Sequence, residues 1–381
     1  MKTVNLKKNI GRIIILALGM IVGITMPLAQ TTSVLACEWY DDIAIKYTKN
    51  YGYRIIDGTA MISDYIGHST NVKAPSLFEG KPVTAVSLGD TKIKNLDLSK
   101  CKKITYVSIY EGNLEKINLS QNSQLTELYL NGNKIKKIDL SKNKKLKIVD
   151  LSNNKLTKVS LPNSKSITEL SLDRNKLSKI NLTGCTKLVS LSCYSNKLTK
   201  INLKKNTKLE DLFLGYNRIK RINLKNNRRL EYLNLENNKL SAINLSKNSK
   251  LIYLYINENK LGKIDLSKNK KLYLMYVDNN TLKKLSVTNL TKLEFLGCSN
   301  NKLTELNVDK NKKLIDLDCS NNKISSLDIN KNKQLEYIDF SKNKGLSVEI
   351  SDEAALYTLR YSPKNKTKQV SYPEAKIYKN A

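Results

Sequence analysis

Apolar residues recur through most of the chain with a period of 21 residues. From residue 84 to residue 356 the sequence divides into 13 consecutive units of this length without an insertion. Unit positions 3, 5, 10, 13, 15 and 21 are apolar at all but one of 78 places, the exception being Gly345. A pattern this regular predicts a structure built by repetition.

Each unit contains two short stretches of alternating apolar and polar residues, such as Leu128-Tyr129-Leu130 and Ile138-Asp139-Leu140. Alternation is typical of a strand with one buried face. A single unit cannot bury its six apolar side chains alone, so neighbouring units must stack. We therefore predict a β-rich, right-handed solenoid with a parallel sheet on its concave side and short strands or extended segments on its convex side.

Asparagine occupies position 8 in 11 consecutive units, from Asn133 to Asn343. A second, patchier column stands at position 18 and includes Asn122 and Asn248. An inward amide can satisfy backbone groups of adjacent turns where a strand ends. Both columns are therefore interpreted as structural.

The unit pattern LxxLxLxxNxLxxIxLxxNxxL resembles that of bacterial leucine-rich-repeat proteins, specifically the 21-residue IRREKO type. Upstream, residues 56–62 (IDGTAMI) and 79–84 (EGKPVT) resemble the leading unit of BspA-like surface proteins. This resemblance implies a surface or secreted protein that binds other macromolecules.

The sequence predicts four segments. Residues 1–36 are typical of a signal peptide, because a basic start precedes the apolar run Ile13–Met26 and Pro27 ends that run. A lipoprotein anchor at Cys37 is the alternative to ordinary secretion. Residues 37–83 form an N-terminal β cap with a hairpin turn at Asp57-Gly58, residues 84–356 form the solenoid, and residues 357–381 form a C-terminal cap or tail. The predicted location is extracellular, secreted or at the cell surface.

Charge and composition limit the classes of function that the sequence supports. The chain has 66 Lys and Arg against 34 Asp and Glu, a formal net charge of +32, which favours a polyanionic partner. It has one His, and it lacks a P-loop, GxGxxG or HExxH motif, so we predict no catalytic residue, cofactor or metal ligand. A glycosidase-like pair of carboxylates, such as Asp316 with Asp318, is the only enzymatic alternative.

Positions 2, 4 and 6 point outward from the main strand and form the predicted concave face. Their 39 places hold no Lys or Arg, ten acids and 11 aromatic residues, although the chain is 7% aromatic. Exposed aromatic patches usually mark binding sites. The predicted ligand-binding residues, for a protein or glycan, are Phe213, Tyr216, Tyr232, Tyr253, Tyr255, Tyr276, Phe295, Asp211, Glu236 and Asp278. A smaller aromatic group consists of Tyr106, Tyr110 and Tyr129.

Positions 9, 12, 17, 19 and 20 are predicted to form a basic flank and back, with 42 Lys or Arg among 65 places. Such columns either solubilise a repeat or bind a polyanion. Anionic cell-wall polymers fit an exported chain, and nucleic acid is less favoured because aromatic residues do not interleave with the basic ones. Nucleic acid or glycosaminoglycan remains the alternative partner. The candidate residues are Lys134, Lys155, Lys176, Lys197, Arg218, Lys239 and Lys260.

Overall fold

The computed structural model describes residues 43–349 and the strands at residues 358–361, 366–367 and 376–379. Strands and turns make up these residues, and nowhere among them is there a helix long and apolar enough to cross a membrane. The predicted signal peptide and Cys37 lie outside the described residues. Two compact units divide the chain: the first reaches Pro162 and includes Leu170–Asn175, and the second holds Asn163–Glu169 and the residues from Lys176 onward.

The first unit begins with three antiparallel strands, β1 (Lys46–Tyr47), β2 (Tyr51–Ile56) and β3 (Thr59–Tyr65). Asp57 and Gly58 connect β2 to β3 with φ values of 46° and 73°. Two consecutive positive φ values are the mark of a type I′ turn, which confirms the predicted hairpin.

Parallel pairing starts where β3 meets β6 (Lys81–Gly89). The main sheet of the first unit continues through β8 (Tyr106–Tyr110), β10 (Glu127–Tyr129) and β12 (Ile148–Asp150), and β14 (Glu169–Ser171) follows at the edge of the unit. The short strands are β4 (Asn71–Lys73), β5 (Leu77–Phe78), β7 (Asn95–Asp97), β9 (Lys116–Asn118), β11 (Lys137–Asp139) and β13 (Lys158–Ser160). Among these, β4, β7 and β9 pair in parallel, as do β11 and β13, whereas β5 is antiparallel to β6.

The main sheet of the second unit is parallel throughout. Its strands are β15 (Ser190–Ser192), β16 (Asp211–Phe213), β17 (Tyr232–Asn234), β18 (Tyr253–Tyr255), β19 (Leu274–Tyr276), β20 (Phe295–Gly297), β21 (Asp316–Asp318), β23 (Tyr337–Asp339), β25 (Thr358–Tyr361) and β27 (Lys376–Lys379). Partners from β15 to β25 lie 21 residues apart, as in Leu212 with Leu233. On the other side of the turns, β22 (Ser326–Asp328), β24 (Ser347–Glu349) and β26 (Lys366–Thr367) pair in parallel. The described turns between residues 176 and 325 carry no strand on that side.

Leucines from stacked turns fill the core, and Leu212, Leu233 and Leu254 are each fully buried. They occupy the same unit position on successive strands, so every turn covers the apolar edge of its neighbour. The predicted parallel-sheet β-solenoid is therefore confirmed.

Asparagines at position 8 satisfy the backbone where each main strand ends. Asn238 is representative: its Nδ2 donates to the carbonyls of Leu214 (2.9 Å), Leu235 (3.1 Å) and Glu236 (3.1 Å). Its Oδ1 accepts from the backbone N–H of Ile219 at 2.9 Å. The side chain joins its own turn to the preceding one, which confirms its predicted structural role.

Asparagines at position 18 are buried but less fully satisfied. Asn248 donates from Nδ2 to the carbonyls of Leu224 (3.1 Å) and Asn227 (2.8 Å). Its buried Oδ1 accepts no hydrogen bond from the described residues. Position 18 therefore stabilises each turn through fewer contacts than position 8.

Candidate ligand-binding face

The strands β16 to β20 bring most of the predicted aromatic residues onto one side of the sheet. Each strand is in register with the next, so that Tyr232 lies beside Tyr253 and Tyr255 lies beside Tyr276. Adjacent strands are about 4.8 Å apart, which is the separation at which aromatic rings contact each other.

Seven rings form one continuous cluster, called the aromatic face from here on. Its members are Phe213, Tyr232, Tyr253, Tyr255, Tyr273, Tyr276 and Phe295. The ring centroids are 4.6 Å apart for Phe213–Tyr232, 5.5 Å for Tyr232–Tyr253, 5.4 Å for Tyr232–Tyr255, 5.5 Å for Tyr255–Tyr276, 5.9 Å for Tyr253–Tyr273 and 5.5 Å for Tyr273–Phe295. Six of these residues are among the candidates that the sequence predicts, and the structure brings those six together.

Two aromatic residues of this region are not among the predicted candidates. Tyr273 stands at position 1, outside the predicted face, yet its ring joins Tyr253 to Phe295. Tyr194 stands at position 6 and pairs with Tyr216 at 5.1 Å. The signal for Tyr194 was its unit position, whereas nothing in the repeat pattern distinguishes Tyr273, because position 1 is often polar.

The aromatic face is half-buried rather than fully exposed, because each ring covers part of its neighbour. Tyr216, beside the face, is 43% exposed. Asp211 is only 6% exposed, so the structure does not place this predicted ligand-binding carboxylate at the surface. Its register partner is Tyr232, and Phe213 lies two residues along the same strand, so these neighbouring residues cover the carboxylate.

The smaller aromatic group in the first unit also differs from the prediction. Tyr129 is 2% exposed, and its hydroxyl bonds Glu127 at 3.1 Å. The rings of Tyr106 and Tyr129 lie 5.7 Å apart, whereas Tyr110 is exposed. Tyr129 therefore stabilises the sheet and presents no surface to a ligand.

Tyr216 adopts φ = +53°, a left-handed conformation that an L-residue with a bulky side chain rarely takes. We expect Tyr216→Gly to be more stable than Tyr216→Ala by about 1 kcal/mol, because both variants lose the ring and only glycine relieves the backbone. Urea denaturation of the two variants measures the difference. An alanine variant as stable as the glycine variant would contradict the strain.

Carboxylates lie against the rings. Burial raises the pKa of Asp278 to about 6, although Ser299 donates to its Oδ1 from the backbone N (2.8 Å) and from Oγ (2.9 Å). Burial and the neighbouring charge of Asp318 raise the pKa of Asp316 to about 6. Each of these groups therefore favours its protonated form more than a solvated aspartate does.

This gives a pH dependence of stability. In the unfolded chain both aspartates have a pKa of about 3.9, so between about pH 4 and 6 the folded chain holds more protons than the unfolded chain. The free energy of unfolding contributed by the pair therefore falls as pH rises through this window and is constant above it. We expect the wild type to gain more stability than Asp278→Asn/Asp316→Asn when urea denaturation is moved from pH 7 to pH 5. Equal gains would contradict the raised pKa values.

Some acids on the strand face have a structural role. Asp150, Asp318 and Asp339 stand at position 4 and each accepts the backbone N–H of the serine two residues on, at 2.9 Å. Burial nevertheless raises the pKa of Asp150. These side chains close the end of the strand, so a carboxylate here is not by itself a sign of binding.

The seven predicted polyanion-binding residues are all exposed. Arg218, Lys239 and Lys260 share position 9 on successive turns, and their backbone N–H groups bond the preceding turn at 2.8–2.9 Å. Lys134 bonds Oδ1 of Asn113. The structure thus places a basic column at the surface beyond the ends of the main strands.

The five cysteines within the described residues are buried free thiols. Burial raises the pKa of Cys101 to about 11, and burial also raises the pKa of Cys298 well above its ordinary value. The described residues hold no group of three or more His, Cys, Asp or Glu that could bind a metal ion.

Comparison with known proteins agrees with this architecture. A family model of leucine-rich repeats (two copies) matches residues 123–163. A comparison with curated protein sequences gives no significant match.

Solved structures are similar over most of the chain. The functional domain of InlJ from Listeria monocytogenes is 27% identical, with a TM-score of 0.64 over 72% of this chain and 68% of that one. A leucine-rich-repeat protein of Leptospira interrogans is 22% identical, with a TM-score of 0.63 over 75% and 90%. The plant peptide hormone receptor RGFR1 in complex with RGF2 is 20% identical, with a TM-score of 0.61 over 78% and 57%. Together with the repeat register, these likenesses show that the chain carries leucine-rich repeats and has the fold of leucine-rich-repeat proteins.

Proposed function

We propose that the chain is a non-enzymatic, exported binding protein that captures a protein or glycan through the aromatic face, while its basic flank attaches to anionic cell-surface polymers. The observation that carries the proposal is the continuous cluster of seven half-buried rings, six on the successive strands β16 to β20 and Tyr273 directly before β19. Aromatic rings combine large contact area with few rotatable bonds, which makes them dominant residues in binding sites.

A further observation supports a binding role. The plant receptor RGFR1, which shares the fold, was solved in complex with RGF2.

The ring contribution is tested with Tyr253→Ala/Tyr276→Ala. Both the native chain and the variant are presented to a glycan array and to a displayed library of random peptides. We expect the variant to lose most of the binding that the native chain shows. The matched control is Tyr47→Ala/Tyr110→Ala, which removes two exposed tyrosines of the first unit (59% and 39% exposed) and should bind normally. Equal binding by the native chain and the ring variant would contradict the proposal.

Export and attachment have their own test. The predicted signal peptide and the exposed basic column both support a protein held at an anionic surface. In fractionated cells we expect the chain in the envelope or medium, and release from the envelope by about 1 M salt, where the Debye length is about 3 Å. A chain that stays in the cytoplasm contradicts export.

Polyanion binding by the basic column is the second candidate function, favoured by the exposure of all seven residues. Replacing Lys197, Arg218, Lys239 and Lys260 by Gln should weaken binding to heparin or DNA and flatten its salt dependence. If that binding proves strong while the ring variant binds its partners normally, the basic surface is the primary site.

A further inference from the structure

Carboxylates flank the aromatic face, and the face itself holds no basic side chain. Glu236 and Glu258 form one carboxylate group and follow β17 and β18, the second and third of the five strands that carry the rings. Asp316 and Asp318 form the other group on β21, one strand beyond the last ring, and Asp278 lies between the two groups. No Lys or Arg occupies positions 2, 4 or 6 in any of the 13 units, although the chain as a whole has 66. The charged residues at these outward strand positions are therefore all acidic.

Neutral groups hold these carboxylates in place. Glu236 accepts from the side-chain amides of Asn234 at 3.1 Å and Asn257 at 3.5 Å. Asp318 accepts from the backbone N of Ser320 at 2.9 Å and from its Oγ at 2.7 Å. Amide and hydroxyl donors orient a carboxylate but leave its charge uncompensated, so a cation brought by a partner would gain charge-assisted hydrogen bonds.

The carboxylates also act on the rings beside them. Burial raises the pKa of the Tyr276 hydroxyl, and the negative charges of Asp316, Asp278 and Asp318 raise it further. Glu236 has the same effect on Tyr255, after burial. Since negative charges and electron-rich ring faces meet at this surface, it attracts cations in two ways, by ion pairing and by cation–π contact.

We propose that the partner of the aromatic face is a protein segment in extended conformation, with two Lys or Arg side chains that reach the two carboxylate groups and apolar side chains between them that lie on the rings. This inference rests on the proposed function and names the class of partner. A neutral glycan would stack on the rings but leave the carboxylates without a counter-charge, and an anionic polymer would be repelled.

Strand spacing sets the distance between the two basic residues. The unit of Glu258 and the unit of Asp316 are three turns apart, and Glu236 is one turn further away. At about 4.8 Å per strand, the two carboxylate groups are separated by about 14 to 19 Å along the stack. An extended chain advances about 3.3 Å per residue, so the basic residues should be about four to six positions apart.

The net charge of +32 does not prevent this binding. At about 0.15 M salt the Debye length is about 8 Å, so the lysines of the flank are largely screened from a segment on the strand face. Contacts within the aromatic face then determine whether a basic segment is attracted or repelled.

The test selects random displayed peptides of about 12 residues on the full chain at about 0.15 M salt. Peptides that bind the native chain but not Tyr253→Ala/Tyr276→Ala are sequenced. We expect them to carry two Lys or Arg about four to six positions apart, with apolar residues between. A synthetic peptide of the selected sequence should then lose about tenfold or more in affinity for Asp316→Asn/Asp318→Asn.

The matched control is Glu305→Gln/Asp265→Asn, which removes two exposed acids from outside the aromatic face and should leave affinity unchanged. Ring-dependent peptides without basic residues, or ring-dependent binding to glycans alone, overturn this inference while the proposed function stands. Equal loss of affinity in the control also overturns it. If no binding depends on the rings, the proposed function fails and the inference fails with it.

Discussion

Asn238→Ala should lower the free energy of unfolding by about 3 kcal/mol or more. The substitution removes donors from three carbonyls and leaves the buried N–H of Ile219 without its acceptor. A buried group left without a partner costs about 1–3 kcal/mol, and this applies to the N–H of Ile219. The three carbonyls keep other donors, so each of their lost hydrogen bonds adds about 1 kcal/mol. Urea denaturation followed by circular dichroism gives the difference.

Two matched variants make that result specific. Asn248→Ala removes donors from two carbonyls and leaves no N–H without an acceptor, so its loss of stability should be smaller. Asn244→Ala alters an exposed side chain that accepts from Ser246 N at 3.0 Å, and it should cost about 1 kcal/mol or less. Equal losses at all three positions would contradict the ranking. A reduced m-value for Asn238→Ala would show that the repeat array no longer unfolds as one unit.

Gly297→Ala should destabilise the chain by about 1–3 kcal/mol and displace a ring of the aromatic face. A Cβ at Gly297 would stand 2.3 Å from Cδ1 of Tyr276 and 2.6 Å from Oδ2 of Asp278. The Tyr276 ring cannot move freely, because it packs against Tyr255 with 5.5 Å between the centroids. Near-UV circular dichroism reports the shifted tyrosine, and urea denaturation measures the loss.

The control for this substitution is Gly262→Ala. A Cβ at Gly262 meets no atom within 4 Å, so alanine there should be neutral or stabilising by up to about 1 kcal/mol. Gly297→Ala should also weaken ring-dependent binding although it removes no ring. If it proves as stable as Gly262→Ala, the close approach of Tyr276 to this backbone is refuted.

Much of the candidate site was predictable because unit position and side-chain direction are linked. Residues at equal positions lie beside each other on adjacent strands, so Tyr232, Tyr253 and Tyr255 could be placed in one cluster before the structure was known. The unit pattern does not predict Tyr273 as a member of the cluster, because it belongs to position 1. Tyr273 directly precedes β19, and the backbone conformation there brings its ring against Tyr253 and Phe295. Asp211 stands at an outward position of its strand, but the neighbouring aromatic residues cover it.

The sequence by itself determined the repeat length, the parallel stacking and the inward asparagines, because a 21-residue apolar period leaves one way to bury every turn. It also determined that basic residues and aromatic residues occupy different positions in each unit. Only the tertiary structure decided which rings contact each other, that Asp211 and Tyr129 are covered, and that Tyr276 lies across Gly297. These outcomes depend on the volume and orientation of side chains on adjacent turns, and a periodic pattern specifies position but not how neighbouring side chains share the space between them.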